Sequence, residues 1–186
     1  MKVTIRNVRL AFPALFEPKA MANEAADKAA YSASFILDPI ANKADIAALD
    51  AAINAVAKEK WGAKADTVLK SIRAKGDVCL RDGDTKGEYD GFEGNMYIST
   101  RSKTRPLVID RDKTPLTQAD GKPYGGCFVN ASVEIWSQDN QWGKRINCQV
   151  KGVQFYKDGD AFSGGGAASP DEFDDLGVDE TDDALA

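Results

Sequence analysis

The chain has 186 residues, 43% of them hydrophobic and 28% charged, which is enough for one substantial domain. It contains no histidine, which excludes His-based triads and the commoner zinc sites, and its three cysteines fit neither a disulfide scaffold nor CxxC metal spacing. No apolar stretch reaches the roughly 18 residues of a membrane span, and the N-terminus lacks the apolar segment of a secretory signal. We therefore expect a cytoplasmic protein with no membrane partner.

The first half of the chain predicts two strands followed by two helices. Alternating apolar residues indicate strands over 2–10 and 31–37, with a proline-punctuated apolar turn at 12–18 between them. Apolar residues spaced three and four apart predict a helix over 43–60, and a shorter helical stretch follows around 64–74.

From residue 77 to 157 the pattern changes to strands separated by Gly- and Asp-rich loops. Residues 127–136 and 145–151 alternate cleanly between apolar and polar, and the turn at 140–143 predicts an antiparallel hairpin. After Gly152 the apolar phase shifts, as a β-bulge would cause. About five or six curved strands with inserted helices predict a mainly β (α+β) fold, a small antiparallel barrel of the OB type.

The charge is distributed unevenly along the chain. From Asp158 onward there are ten acidic residues and no base, so residues 1–157 are net basic although the whole chain carries −5. The composition predicts an OB-type domain over 1–160, a Gly/Ser/Ala linker over 161–170 and a disordered acidic tail over 171–186. The tail is either a solubilising segment or a docking peptide for a partner protein, with these candidate residues: Asp171, Glu172, Phe173, Asp174 and Asp175.

A basic and aromatic strand is the strongest functional signal in the body. At strand periodicity Tyr97, Ser99, Arg101, Lys103 and Arg105 share one face. The non-core face of the predicted hairpin adds four more candidates: Phe128, Trp136, Arg145 and Lys151. Cations that follow phosphates and flat rings on which bases stack are what single-stranded DNA requires. The alternative is a solvated strand face, with its aromatic rings covering a core edge.

An acidic loop over residues 82–93 nearly matches an EF-hand calcium loop. Its fifth position holds Lys86, however, and its flanks indicate strands rather than helices. Four of its acids could in principle hold Mg²⁺ in a metal-dependent nuclease: Asp82, Asp84, Glu88 and Asp90. No positioned general base or phosphate-binding loop accompanies them, so a mobile hairpin loop is favoured and no cofactor or metal is predicted.

Five segments of the body resemble a family, the phage-encoded single-stranded DNA-binding proteins. They are residues 8–19, 31–37, 80–84, 97–111 and 151–159, in that order along the chain. The resemblance implies an OB-fold, and the acidic tail after a glycine linker is also similar to those of such proteins. Their tails often end in an aromatic residue, whereas this one ends Ala184-Leu185-Ala186.

Together the residues and the resemblance predict a non-enzymatic, sequence-independent single-stranded DNA-binding protein. It is expected to protect single strands during phage replication or recombination, in the cytoplasm of the host cell. The alternatives are the metal-dependent nuclease and a protein–protein adaptor that acts through the acidic tail.

Overall fold

A computed structural model describes residues 1–162 and 173–177 of the chain. Most of the predicted linker and acidic tail therefore lies outside the described residues, apart from a short segment in which the side chains of Phe173 and Leu176 are exposed. The elements are β1 (Lys2–Lys19), β2 (Ala30–Leu37), α1 (Lys43–Trp61), α2 (Ala65–Ala74), β3 (Leu80–Asp82), β4 (Met96–Ser102), β5 (Leu107–Ile109), β6 (Phe128–Asn140) and β7 (Gly143–Lys157).

The seven strands form one sheet in the order β3-β4-β2-β1-β6-β7-β5. Neighbouring strands are antiparallel, except that β5 runs parallel to β7. The sheet curls until its two ends meet: Cys79 donates a backbone hydrogen bond of 2.9 Å to Ile146 of β7, and Gln149 Nε2 lies 3.0 Å from Ser102 Oγ of β4. This closure confirms the predicted curved barrel.

The barrel encloses an apolar core to which α1 contributes one face. Leu49, Ile53 and Val56 of α1 are buried, in agreement with the predicted helical spacing. They join strand residues such as Phe35 and Ile98, both fully buried. Removing this apolar surface from water is the main favourable contribution to folding.

The hairpin of β6 and β7 confirms both the predicted alternation and the predicted bulge. Its inward residues, among them Val133 and Val150, are buried. Ser132 pairs with Gly152 but Val133 pairs with Val150, so the residue between those two partners is extra on β7. This insertion shifts the apolar phase of the last part of the strand.

Strand β1 is longer than predicted and includes the segment expected to be a turn. Its register against β2 jumps between Ala11 and Ala14, which accommodates Pro13, a residue without an N–H for the ladder. Pairing with β2 on both sides of this irregularity keeps the chain extended to Lys19, so the predicted turn at 12–18 is wrong.

A second, smaller apolar cluster lies outside the barrel. The loop between β3 and β4, residues 83–95, folds over the outer face of the sheet and inserts Phe92 between the strands' side chains. Phe92 is 0% exposed and packs with Ala11, Ile36 and Tyr97. The loop is therefore anchored to the sheet by an apolar side chain, which the acidic composition of its sequence did not predict.

Candidate nucleic-acid interface

A groove of about 760 Å³ lies where the two ends of the sheet meet, between β4 on one side and the β6–β7 hairpin on the other. We call it the basic groove, because four cationic side chains line it: Arg81, Arg101, Lys103 and Arg145. Among the described residues that line it, Glu24 is the one carboxylate. A channel with this excess of positive charge favours a polyanion.

The basic groove brings together four of the residues that the sequence analysis selected. Arg101 and Lys103 come from the end of β4 and the residue after it, whereas Trp136 and Arg145 come from β6 and β7. The sequence analysis did not select Arg81. A single basic side chain in a three-residue strand was a weak signal, and only the closure of the barrel places it in the groove.

Arg101 is held by a carboxylate in the free protein. Its guanidinium donates to both oxygens of Glu24, with Nη1–Oε1 at 3.2 Å and Nη2–Oε2 at 2.8 Å. This hydrogen bond lowers the pKa of Glu24 below its ordinary value, because it favours the ionised carboxylate. The pair is partly exposed, and such pairs stabilise a fold only weakly, so a phosphate can replace Glu24.

The other cations of the groove are also oriented by neighbours. Arg145 forms an ion pair of 3.2 Å with Asp77, and Lys103 Nζ donates to the carbonyl oxygen of Ala29 at 3.1 Å. These contacts hold the side chains across the groove without burying their charge. They reduce the conformational entropy that the side chains would lose on binding a phosphate.

Trp136 supplies an accessible aromatic surface beside these cations. Its side chain is 45% exposed on the face of β6 that turns away from the core. A half-exposed indole next to several cations is suited to stack on a nucleobase while the cations contact the flanking phosphates.

Tyr97 does not line the groove, contrary to the predicted row. It lies on the same face of β4 as Arg101, but the loop over 83–95 covers it, and the residue is 1% exposed. Its ring packs against Phe92 with centroids 5.2 Å apart. Tyr97 therefore belongs to the second apolar cluster and offers no surface to a base.

Three further predicted residues lie away from the basic groove. Arg105 is exposed in the segment between β4 and β5, three residues after β4 ends at Ser102. Lys151 pairs with Glu134 at 3.4 Å. Phe128 is partly buried, with Lys157 Nζ 4.8 Å from its ring centroid. The structure thus separates these residues from the four that share the groove.

The acidic loop uses its carboxylates to hold its own backbone. Asp82 accepts a hydrogen bond of 2.9 Å from the amide of Asp84, and Asp84 in turn accepts one of 2.8 Å from the amide of Gly94. No three His, Cys, Asp or Glu residues in the described part of the chain are placed to hold a metal ion together. The geometry gives the nuclease alternative no support. Within 1–162 and 173–177, no helix is long and apolar enough to cross a membrane.

Comparisons with known proteins point to one family. The family model described as the single-stranded-DNA-binding protein of Enterobacter phage Enc34 matches residues 1–185. The chain is 50% identical over 188 aligned positions to protein p50 of Acyrthosiphon pisum secondary endosymbiont phage 1, with 100% of both chains covered.

Solved structures agree with the family match. The single-stranded DNA-binding protein of bacteriophage Enc34 in complex with single-stranded DNA superimposes with a TM-score of 0.75 at 27% identity, over 87% of this chain and 89% of that one. The single-stranded DNA-binding protein gp2.5 of bacteriophage T7 gives 0.55 at 10% identity, over 90% and 98%, which is a likeness of fold alone. This chain belongs to the family of the Enc34 single-stranded-DNA-binding protein.

Proposed function

We propose that the protein binds single-stranded DNA in the basic groove, with its cations on the phosphates and one base stacked on Trp136. The observation that carries this proposal is the convergence of four cations and an exposed indole in one groove. The relative whose structure holds single-stranded DNA supports it, because that protein shares the fold over most of both chains.

The groove favours binding without sequence preference. Polar side chains that could read base edges are already paired with each other: Asn147 Nδ2 donates to Gln138 Oε1 at 3.0 Å, and Gln149 donates to Ser102. Contacts to phosphates and to the flat face of a base carry no sequence information. The protein therefore accepts any single strand that fits.

In the cell, such a protein coats and protects single strands during phage DNA replication or recombination, in the host cytoplasm and without catalysing a reaction. The acidic tail would either regulate binding by competing for the groove or recruit replication proteins. Phe173 is 70% exposed within this acidic stretch, which supports a role as an anchor for a partner.

The test is a salt titration with labelled oligo-dT and a duplex of equal length. The proposal predicts tighter binding of the single strand, and an affinity that falls linearly on a log–log plot against salt concentration. Equal binding of the duplex, or no binding of oligo-dT at low salt, would contradict it.

A further inference from the structure

A second groove, of about 820 Å³, lies beside the bulged part of β1. We call it the aromatic groove, because rings and other apolar side chains form most of its walls. Its main wall residues are Phe12, Pro13, Tyr89, Tyr124 and Phe162. The DNA site proposed above does not include this groove.

A narrow cleft of about 210 Å³ joins the aromatic groove to the basic groove. It shares Ser99 and Arg101 with the basic groove, and it shares Phe12 and Lys19 with the aromatic groove. Met21 lines all three. The three cavities therefore form one continuous depression that leads from Trp136 at one end to Phe12 at the other.

Two rings are presented to solvent at the far end of this depression. Phe12 is 51% exposed and Tyr89 is 46% exposed, and they meet edge to face with centroids 5.1 Å apart. Phe12 has a φ of 48°, in the left-handed region that a bulky residue seldom adopts. The register jump in β1 imposes this strained conformation and turns the ring outward. Strain of this kind persists where the surrounding structure enforces it, often at binding sites.

The charges along this part of the depression are positive. Lys86 Nζ lies 5.9 Å from the centroid of the Phe12 ring, and Lys19 stands exposed where the cleft opens into the aromatic groove. Among the described residues that line the cleft and the aromatic groove there is no carboxylate. An apolar surface whose lining residues include cations and no carboxylate matches a nucleotide, which combines a flat ring with a phosphate.

We propose that single-stranded DNA continues from the basic groove through the cleft, and that a second base stacks on the Phe12–Tyr89 pair. Lys19 and Lys86 then contact the phosphates on either side of that base. This inference rests on the proposed function and adds a second nucleotide subsite to it. Continuity with the basic groove and the flanking cations favour DNA over an apolar peptide as the occupant.

The experiment compares short and long oligo-dT, about 6 and about 16 nucleotides, within the range of site sizes of OB-folds. In the double variant Phe12→Ala, Tyr89→Ala, binding of the long oligonucleotide is expected to weaken roughly 10- to 100-fold, because the bases can no longer stack on the rings. Binding of the short one is expected to change far less, because it can occupy the basic groove without reaching the two rings. The matched control is Trp142→Ala, an aromatic side chain that is 79% exposed on the β6–β7 turn and lines neither groove.

A second pair of variants guards against a change of fold. Phe12→Asn removes the ring but tolerates a positive φ, and it is expected to weaken binding of the long oligonucleotide in the same way without lowering the melting temperature. Lys19→Gln with Lys86→Gln is expected to lower the log–log salt slope by about 1.4 on the long oligonucleotide only, at about 0.7 for each lost phosphate contact.

The outcomes separate this inference from the proposed function. Wild-type protein that binds neither oligonucleotide would overturn the proposed function itself. If the wild-type protein binds both oligonucleotides and the Phe12 and Tyr89 variants bind the long one with the same affinity, only the second subsite is overturned. The second subsite would also be overturned if the variants bound both oligonucleotides equally weakly. The two rings would then be part of the site that the short oligonucleotide already occupies.

Discussion

Trp136 on β6 and Tyr97 on β4 are both aromatic residues on strands that border the basic groove, but they face different surroundings. Trp136 opens onto the basic groove, whereas the loop over 83–95 closes over Tyr97. A ring contributes to DNA binding only where a base can reach its face, so their substitutions should have opposite effects.

Substituting Trp136 and Tyr97 separately by alanine tests this assignment. Trp136→Ala is expected to weaken oligo-dT binding by about 1–3 kcal/mol and to leave thermal stability nearly unchanged. Tyr97→Ala is expected to lower the free energy of unfolding by about 3–5 kcal/mol, because it empties a closed apolar site. Fluorescence anisotropy and thermal denaturation measure the two effects. If Trp136→Ala instead lowers the melting temperature and leaves the affinity for oligo-dT unchanged, the ring belongs to the core and not to the DNA site.

Glu24 holds Arg101 in the free protein, and in the proposed complex a DNA phosphate would displace this carboxylate. Glu24→Gln is expected to tighten binding of oligo-dT several-fold at low salt, because the neutral amide competes less well for the guanidinium. The gain should fade as salt screens the exposed charges. Glu134→Gln, which frees Lys151 outside the groove, is the control and should have little effect. Equal effects of the two variants would contradict a special role for Arg101.

At the scale of elements, regular local patterns predicted the structure well. The alternation over 127–136 and 145–151 predicted the β6–β7 hairpin, its inward face and its bulge, because those features depend on neighbouring residues. The apolar spacing over 43–60 predicted α1 to within one residue for the same reason.

The features that depend on distant contacts could not be predicted in the same way. Pairing with β2 extends β1 past Pro13, and Phe92 buries Tyr97 because the loop also packs on Ala11 and Ile36, which lie far away in the sequence. The basic groove arises only when the barrel closes between β4 and β7. Chemical type alone selected Arg101 and Trp136, which the closed barrel places in the groove, but it could not separate them from Arg105 or Phe128.

The loop over 83–95 gives a prediction of its own, because one side chain anchors it. Phe92 and Tyr97 are in contact, so a double-mutant cycle of their alanine variants should give a coupling of at least about 0.5 kcal/mol in the free energy of unfolding. The exposed neighbour Glu93, substituted by alanine, should show no coupling to Tyr97. Additive effects of Phe92 and Tyr97 would mean that the loop does not cover the strand in solution.

At the scale of the whole molecule, the uneven distribution of charge predicts a competition. The acidic tail is tethered to a net basic body, which keeps its effective concentration near the groove high. Removing residues 170–186 should tighten binding of oligo-dT several-fold at low salt, with a gain that shrinks as the Debye length falls below about 10 Å. A full-length variant with amides in place of the tail acids should reproduce this gain. Equal affinities of the full-length and truncated proteins for oligo-dT at low salt would show that the tail does not occupy the groove.

The central claim is that single-stranded DNA lies in the basic groove. It is tested most directly by the salt dependence of oligo-dT binding in the triple variant Arg101→Gln, Lys103→Gln, Arg145→Gln. Each phosphate that is no longer neutralised by a cation should reduce the log–log slope by about 0.7, so the slope of the variant should fall by about two units. The control, Arg105→Gln with Lys151→Gln, removes cations outside the groove and should change the slope far less. A triple variant with the wild-type slope would contradict the claim.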